Sequence, residues 1–196
     1  MTELTRSFIA VPVPPEVVEK LRAAQERLRS ACADVKWVSP DGFHITLKFL
    51  GGVERERLDA VWRDVSHSLT DCRAFAMQFR GVGAFPSPTR ARVIWAGVVE
   101  GAAELEALAE RVEQACTEHG FERENRPFQA HLTLGRVRDP GPAPELAAAM
   151  GELSEADLGQ ARVDRVLLMR SELTRQGAIY HELEQRELKG EGESDG

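Results

Sequence analysis

Cysteine is scarce in this chain of 196 residues: Cys32, Cys72 and Cys116 are the only three, far apart and odd in number. That pattern excludes a disulfide frame and a cysteine-rich zinc cluster. It leaves the thiols as small apolar fillers in a reducing compartment. Long apolar runs are missing too; none approaches the roughly 20 residues of a membrane helix. The opening Met1-Thr2-Glu3-Leu4-Thr5-Arg6 has no basic region followed by an apolar stretch, so a cytoplasmic location without membrane attachment is expected. Excess positive charge is absent: the net charge is −7, which argues against coating nucleic acid by bulk attraction. Lysine is rare as well. Lys20, Lys36, Lys48 and Lys189 account for four of 25 basic residues and leave 21 arginines, whose forked donors suit a phosphate wherever they line a cleft. The segment 189–196 ends in Gly190-Glu191-Gly192-Glu193-Ser194-Asp195-Gly196. It contains no apolar residue beyond glycine and is expected to be a disordered acidic tail.

What is present is an ordinary globular balance, 42% hydrophobic and 29% charged, enough to fill a core over a single domain spanning 1–188. Arg6–Val13 is β-branched and reads as a strand, and Pro14-Pro15 opens a helix with Val17, Leu21, Ala24 and Leu28 at helical spacing. Phe43–Leu50 alternates as a strand and stops at Gly51-Gly52. Leu58, Val61, Trp62, Val65 and Leu69 mark a second helix, and a strand follows over about Phe75–Val82. The order then repeats. Arg92–Val99 reads as a strand and Leu105, Leu108, Val112 and Cys116 as a helix. Phe128–Leu134 alternates as a strand, Glu145–Met150 is a short helix, and Arg162–Met169 is a strand. One further strand, near Ala178–Leu183, has no counterpart in the first half. The spacing is kept as well, with 35 positions from Ile9 to His44 and 37 from Ile94 to His131. Two such units, about 5–86 and 90–187, would form lobes related by a pseudo-two-fold axis, with sheets facing across a groove under outer helices.

In a strand, alternate side chains share a face. Phe43, Ile45, Leu47 and Phe49 are expected to point into the core, and His44, Thr46 and Lys48 to the open side. In the second half Ala130, Leu132 and Leu134 take the core side, with His131 and Thr133 opposite. A lone His near a Thr in a strand is most often a satisfied structural residue. Here, though, two of the five histidines carry Thr two positions on, at equivalent places in a repeat that apolar periodicity alone defines; His67, His119 and His181 do not. The function reading therefore outweighs the structural one.

The chemistry that uses two histidines is opening of a phosphodiester. One imidazole deprotonates water on one side of phosphorus and the other protonates the leaving alkoxide, and imidazole titrates in the range that permits both states. The two Thr hydroxyls can donate to non-bridging oxygens as charge builds, and Lys48 is read either as a further phosphate contact or as a solvated side chain. No Asp, Glu or Cys shares the open face of either motif strand, so neither a metal nor another cofactor is expected. No Gly-x-Ser-x-Gly turn supports a serine nucleophile. Arg136 has the wrong parity for the open face unless Gly135 introduces a bulge. Trp37 and Tyr180 are candidates for stacking a base, with Trp37 equally placed for the core.

These motifs resemble the two-histidine phosphoesterase superfamily, and within it the bacterial and archaeal RNA 2′,3′-cyclic phosphodiesterases historically called 2′-5′ RNA ligases. The resemblance rests on Lys36-Trp37-Val38-Ser39-Pro40 leading into His44-Ile45-Thr46-Leu47-Lys48-Phe49-Leu50-Gly51. It also rests on Phe85-Pro86 before Arg92-Val93-Ile94-Trp95, on Arg126-Pro127-Phe128 before His131-Leu132-Thr133-Leu134-Gly135-Arg136, and on Leu173–Tyr180. Lys36 stands where an arginine is common. The resemblance implies a bilobal α+β fold of two strand-helix-strand-helix-strand units with facing antiparallel sheets. It implies hydrolysis of a 2′,3′-cyclic phosphate to a 2′-phosphomonoester, with His44 as proton donor, His131 as proton acceptor, and an RNA or oligonucleotide end as substrate. A monomer with no protein partner is expected. The alternatives are 2′-5′ ligation or 2′,5′-phosphodiester cleavage at the same site, or a non-catalytic module that binds RNA ends.

Overall fold

The computed structural model describes residues 4–31, 34–139, 141–174 and 177–190. Cys32 and the tail beyond Gly190 lie outside the described residues, while Lys189 pairs with Arg73 in an isolated bridge. Strand β1 (Leu4–Pro12) leads through Pro14 into α1 (Pro15–Arg29), where a proline costs no hydrogen bond because the first-turn N–H is free in any case. Val17, Leu21, Ala24 and Leu28 are buried along one face of α1. Next come β2 (Val35–Trp37), β3 (His44–Glu54), α2 (Arg55–Ser68) and β4 (Phe75–Phe85). The second half supplies β5 (Val93–Glu100), α3 (Ala102–Glu118), β6 (His131–Val137), α4 (Pro144–Glu152), β7 (Asp157–Val163), β8 (Arg165–Leu173) and β9 (Ala178–Glu187). The expected strand over 162–169 is two strands broken at Asp164. The three-residue β2 carries too little pattern to be read from sequence.

These elements form an α+β fold with two antiparallel sheets, in the orders β3-β1-β8-β9 and β2-β6-β5-β4-β7. The segments 5–86 and 90–187 are therefore not the two lobes. β4, from the first half, pairs with β5, and β8, from the second half, pairs with β1. Each repeat alone would leave its first strand with an open edge, and the reciprocal exchange closes both. Helices α2 and α3 pack on each other and on β3, while α1 lies along β7 and α4 along β4. Their apolar faces and the helix sides of both sheets join in one core that includes Ile9, Val11, Ile45, Ile94, Leu132 and Leu134.

Both motif strands are bulged beside the motif, and β3 carries a second extra residue at Leu50. Ala10 pairs with Thr46 while the adjacent Ile9 pairs with Lys48, so Leu47 is bulged. Trp95 pairs with Thr133 while Ile94 pairs with Gly135, so Leu134 is bulged. A bulge reverses side-chain parity beyond it. The Leu134 carbonyl accepts from the Val38 N–H at 2.9 Å and from Gln25 Nε2 at 2.9 Å; Gln25 is fully buried and also donates to Val38 O at 2.8 Å. The cost of an irregular ladder is thereby covered by α1.

Trp37 is half-buried against the core with the Arg29 guanidinium 5.7 Å from its ring centroid, so it is a packing residue. The same packing generates a test. A Cβ on Gly135 would stand 2.7 Å from Val35 Cγ1 and 2.8 Å from Trp37 Cε3. Gly135→Ala should overpack the β2–β6 contact and cost about 1–3 kcal/mol, read as a lowered urea midpoint with unchanged slope. An unchanged midpoint would show that β2 is not held tightly on β6.

Candidate active site

Each motif histidine is the first residue of its strand, and each is tied to the carbonyl two residues before it. His44 Nδ1 lies 2.7 Å from Gly42 O, and His131 Nδ1 lies 2.6 Å from Gln129 O. A carbonyl only accepts, so Nδ1 carries the proton in both rings and Nε2 is left to exchange one. The two strands approach within 8 Å of each other at Cα level. Thr46 and Thr133, half-buried two residues on, share the face of their histidines, and no hydrogen bond among the described residues occupies either hydroxyl.

Aromatic rings hold the imidazoles. His44 sits 4.7 Å from Phe8 and meets Tyr180 edge-on at 5.1 Å, and Phe8 and Tyr180 contact each other at 5.3 Å. Gly42 is needed twice here: it supplies the carbonyl, and a Cβ on it would stand 2.9 Å from Tyr180 Cε2. His131 meets Phe85 edge-on at 5.1 Å, and Phe85 packs on Trp95 at 5.3 Å. The Trp95 ring lies over Gly83 and Gly97, where added Cβ atoms would come within 2.4 and 3.2 Å of it. Beside His131 a groove of about 610 Å³ is lined by Phe85, Trp95, Val98, Gln129 and Arg80. Phe8 escapes a sequence reading because its strand carries no chemistry-bearing motif, whereas Phe85 and Trp95 stand out in the sequence only through the family resemblance.

The bulges decide which residues accompany the histidines. Lys48 does not reach the phosphate position that simple alternation predicts. Past Leu47 it turns to the helix side, is 3% exposed, and is ion-paired to Glu113 Oε1 at 2.7 Å. Phe49, expected in the core, is 55% exposed instead and lies 6.1 Å from Phe8. In β6 the same device works in the opposite sense. Past Leu134, Arg136 turns to the side of His131, as a bulge near Gly135 requires. Its positive charge is felt by both His131 and Tyr180, so it lies within electrostatic reach of both halves of the site. Among the described residues no group of three or more His, Cys, Asp or Glu is placed to hold a metal ion.

Burial pushes the pKa of His44 down to about 4, against a weaker opposing pull from the Gly42 carbonyl. His131 is also lowered. Burial is the main cause, the Gln129 carbonyl opposes it, and the Arg136 charge adds to it. Burial raises Tyr180, partly offset by Arg136 and Arg6.

The family model of LigT-like phosphoesterases matches this chain twice, over residues 11–95 and 97–180. The chain belongs to that family. The double match coincides with the repeat of architecture, one motif histidine in each copy. Two curated relatives are both named RNA 2′,3′-cyclic phosphodiesterase. The one from Archaeoglobus fulgidus is 39% identical, covering 91% of this chain and 97% of the relative. The one from Methanothermobacter thermautotrophicus is 37% identical, covering 91% and 96%. Among solved structures, TT0787 of Thermus thermophilus superposes with a TM-score of 0.79 at 30% identity, covering 95% of this chain and 99% of that one. Escherichia coli LigT complexed with 3′-AMP gives 0.75 at 25% identity, with the same coverage.

With both pKa values lowered, the free site at neutral pH holds two uncharged imidazoles. Acid–base work needs one proton on the pair, and the singly protonated form is most populated between the pair's two apparent pKa values. A bell-shaped kcat/KM profile is expected, with its maximum below about pH 6.5. The kcat maximum should lie higher, because a bound phosphodiester anion favours the imidazolium. A kcat/KM maximum on the alkaline side of neutrality would contradict this electrostatic picture.

Proposed function

We propose that the chain hydrolyses the 2′,3′-cyclic phosphate at an RNA end to a 2′-phosphomonoester, with His44 as proton donor and His131 as proton acceptor. The observation that carries this reading is the matched pair of largely buried imidazoles. Both have Nδ1 committed to the backbone and Nε2 left to exchange a proton, and the Arg136 charge reaches both halves. His131 Nε2 takes a proton from water as the oxygen attacks phosphorus. His44 Nε2–H delivers a proton to the departing O3′. Thr46, Thr133 and Arg136 receive the non-bridging oxygens, whose charge grows in the transition state.

The division of roles rests on the family resemblance, because in the free site burial lowers the pKa of the proposed donor His44 to about 4. Arg136 disfavours a proton on His131, which suits an acceptor. The lowering at His44 comes from burial, a penalty that a neighbouring phosphodiester anion offsets directly. Tyr180, exposed in part and beside His44, offers an edge for the terminal nucleoside. Both motif histidines and both motif threonines are carried by the one sequence, and we take the active unit to be a monomer. The free thiols Cys72 and Cys116 fit a cytoplasmic setting.

The groove beside His131 favours a second reading of the same site. A 5′-hydroxyl seated there in place of water would yield a 2′,5′ linkage, which is ligation at the same phosphorus. One experiment addresses both readings. A nucleoside 2′,3′-cyclic phosphate is incubated with EDTA, with and without a nucleoside bearing a free 5′-hydroxyl, and the products are resolved by chromatography. The 2′-phosphate should form in both cases, and a 2′,5′-dinucleotide only with the added nucleoside if the second reading holds. A substrate with sulfur in place of O3′ needs no acid to leave. It should largely rescue His44→Ala and leave His131→Ala inactive. Rescue of His131→Ala instead reverses the roles, and a 3′-phosphate product overturns the assignment.

A further inference from the structure

The Lys48–Glu113 ion pair lies away from the phosphate position, on the helix side of β3, and is almost fully buried: Lys48 is 3% and Glu113 8% exposed. Lys48 Nζ donates to Glu113 Oε1 at 2.7 Å and to the Glu122 carbonyl at 2.6 Å, and Glu113 Oε1 accepts from the Glu124 N–H at 3.1 Å. The surroundings are dry: burial pushes the thiol of Cys116, one turn along α3, up to about 12. Such a pair contributes little net stability, because desolvation of both charges offsets their attraction. Its position points to another use.

Glu122 and Glu124 belong to the connection from α3 to β6, which ends at Gln129 and His131. Among the described residues no backbone–backbone hydrogen bond holds this segment after the Phe121 N–H. Its main-chain polar contacts are three: Glu122 O to Lys48, Glu124 N to Glu113, and Gln129 O to His131 Nδ1. Two of the three go to the buried pair, and the third orients the imidazole. Lys48 itself stands on the strand that carries His44 and Thr46. One side chain thus ties the strand of the first histidine to the segment that leads into the second.

We infer that Lys48 and Glu113 are positioning residues for His131. They anchor the α3–β6 connection so that the Gln129 carbonyl meets Nδ1, and they register that connection against the strand of His44. This rests on the proposed acid–base reading for its kinetic consequences, but the state of the His131 ring can be read without turnover.

The test uses Lys48→Met, Glu113→Gln and the double variant Lys48→Met/Glu113→Leu. Lys48→Met strands a buried carboxylate and should lose stability. The double variant removes both charges and should regain most of it, while Glu122 O and Glu124 N stay unanchored. Three readouts are taken: thermal midpoint, kcat and KM on a nucleoside 2′,3′-cyclic phosphate, and NMR titration of the histidine rings. In the double variant kcat should fall about 10–100-fold, the worth of a modest misplacement, with KM changed less than about threefold. The His131 titration should move up toward the ordinary histidine range as its burial loosens, while His44, held by Gly42, stays where it is. Glu113→Gln, which keeps an acceptor for Glu124 N, should lie between wild type and double variant. A double variant with wild-type kcat and wild-type His131 titration would overturn the inference and leave the pair a core feature. Equal movement of His44 and His131 would also overturn it, since it would indicate general loosening. Absence of turnover in the wild type would instead remove the functional reading and leave the titration result to decide the positioning claim.

Discussion

A carbonyl two residues upstream of each motif histidine is the contact on which the site depends. Gly42 O and Gln129 O take the Nδ1 protons, which sets the tautomer and leaves each Nε2 to exchange a proton. Without that bond an imidazole at a strand start would have rotamer freedom and two usable nitrogens. With it, the ring becomes a one-nitrogen acid or base of fixed direction, preorganised before any substrate arrives. Everything around the rings supports that geometry: the Phe8–Tyr180 wall at His44, the Phe85–Trp95 wall at His131, and the glycines that let those rings lie close.

The repeat builds two equivalent histidines, and the surroundings then make them different. The bulge at Leu47 turns Phe49 outward and Lys48 inward, whereas the bulge at Leu134 turns Arg136 toward the cleft and places Gly135 under Trp37. Both histidines keep an aromatic wall, and the bulge in β6 adds the cationic Arg136 beside His131. A symmetric fold can bring two bases to one phosphorus, but an in-line displacement needs one ring protonated and one neutral. In the free site burial lowers the pKa of both rings, with the Arg136 charge adding to it at His131, and a bound phosphodiester anion is what would favour the proton on His44.

Much of this was legible in the sequence, and the losses have a physical pattern. Alternation in Phe43–Leu47 and Ala130–Leu134 correctly placed His44, Thr46, His131 and Thr133 on one face, because burial of Ile45 and Leu132 enforces that register. Beyond Leu47 the same alternation misplaced Lys48 and Phe49. Nothing local distinguishes Leu-Lys-Phe-Leu in a regular strand from the same residues past a bulge; the bulge is imposed by the partner β1. At Gly135 a glycine flagged the possibility, and Arg136 could be anticipated conditionally. The exchange of β4 and β8 between sheets was invisible for a related reason. Strand pairing is decided by which edges remain open after both halves form, and that information is not carried by either half alone.

The central claim is that His44 and His131 act as one unit on one phosphorus. A double-mutant cycle on hydrolysis of a 2′,3′-cyclic phosphate tests it most directly. His44→Ala and His131→Ala should each lower kcat by about 10²–10⁴-fold, and the double variant should lose little more than the worse single one, since either loss alone disables the pair. Fully multiplicative losses would mean that the two histidines serve separate functions, and would contradict this account.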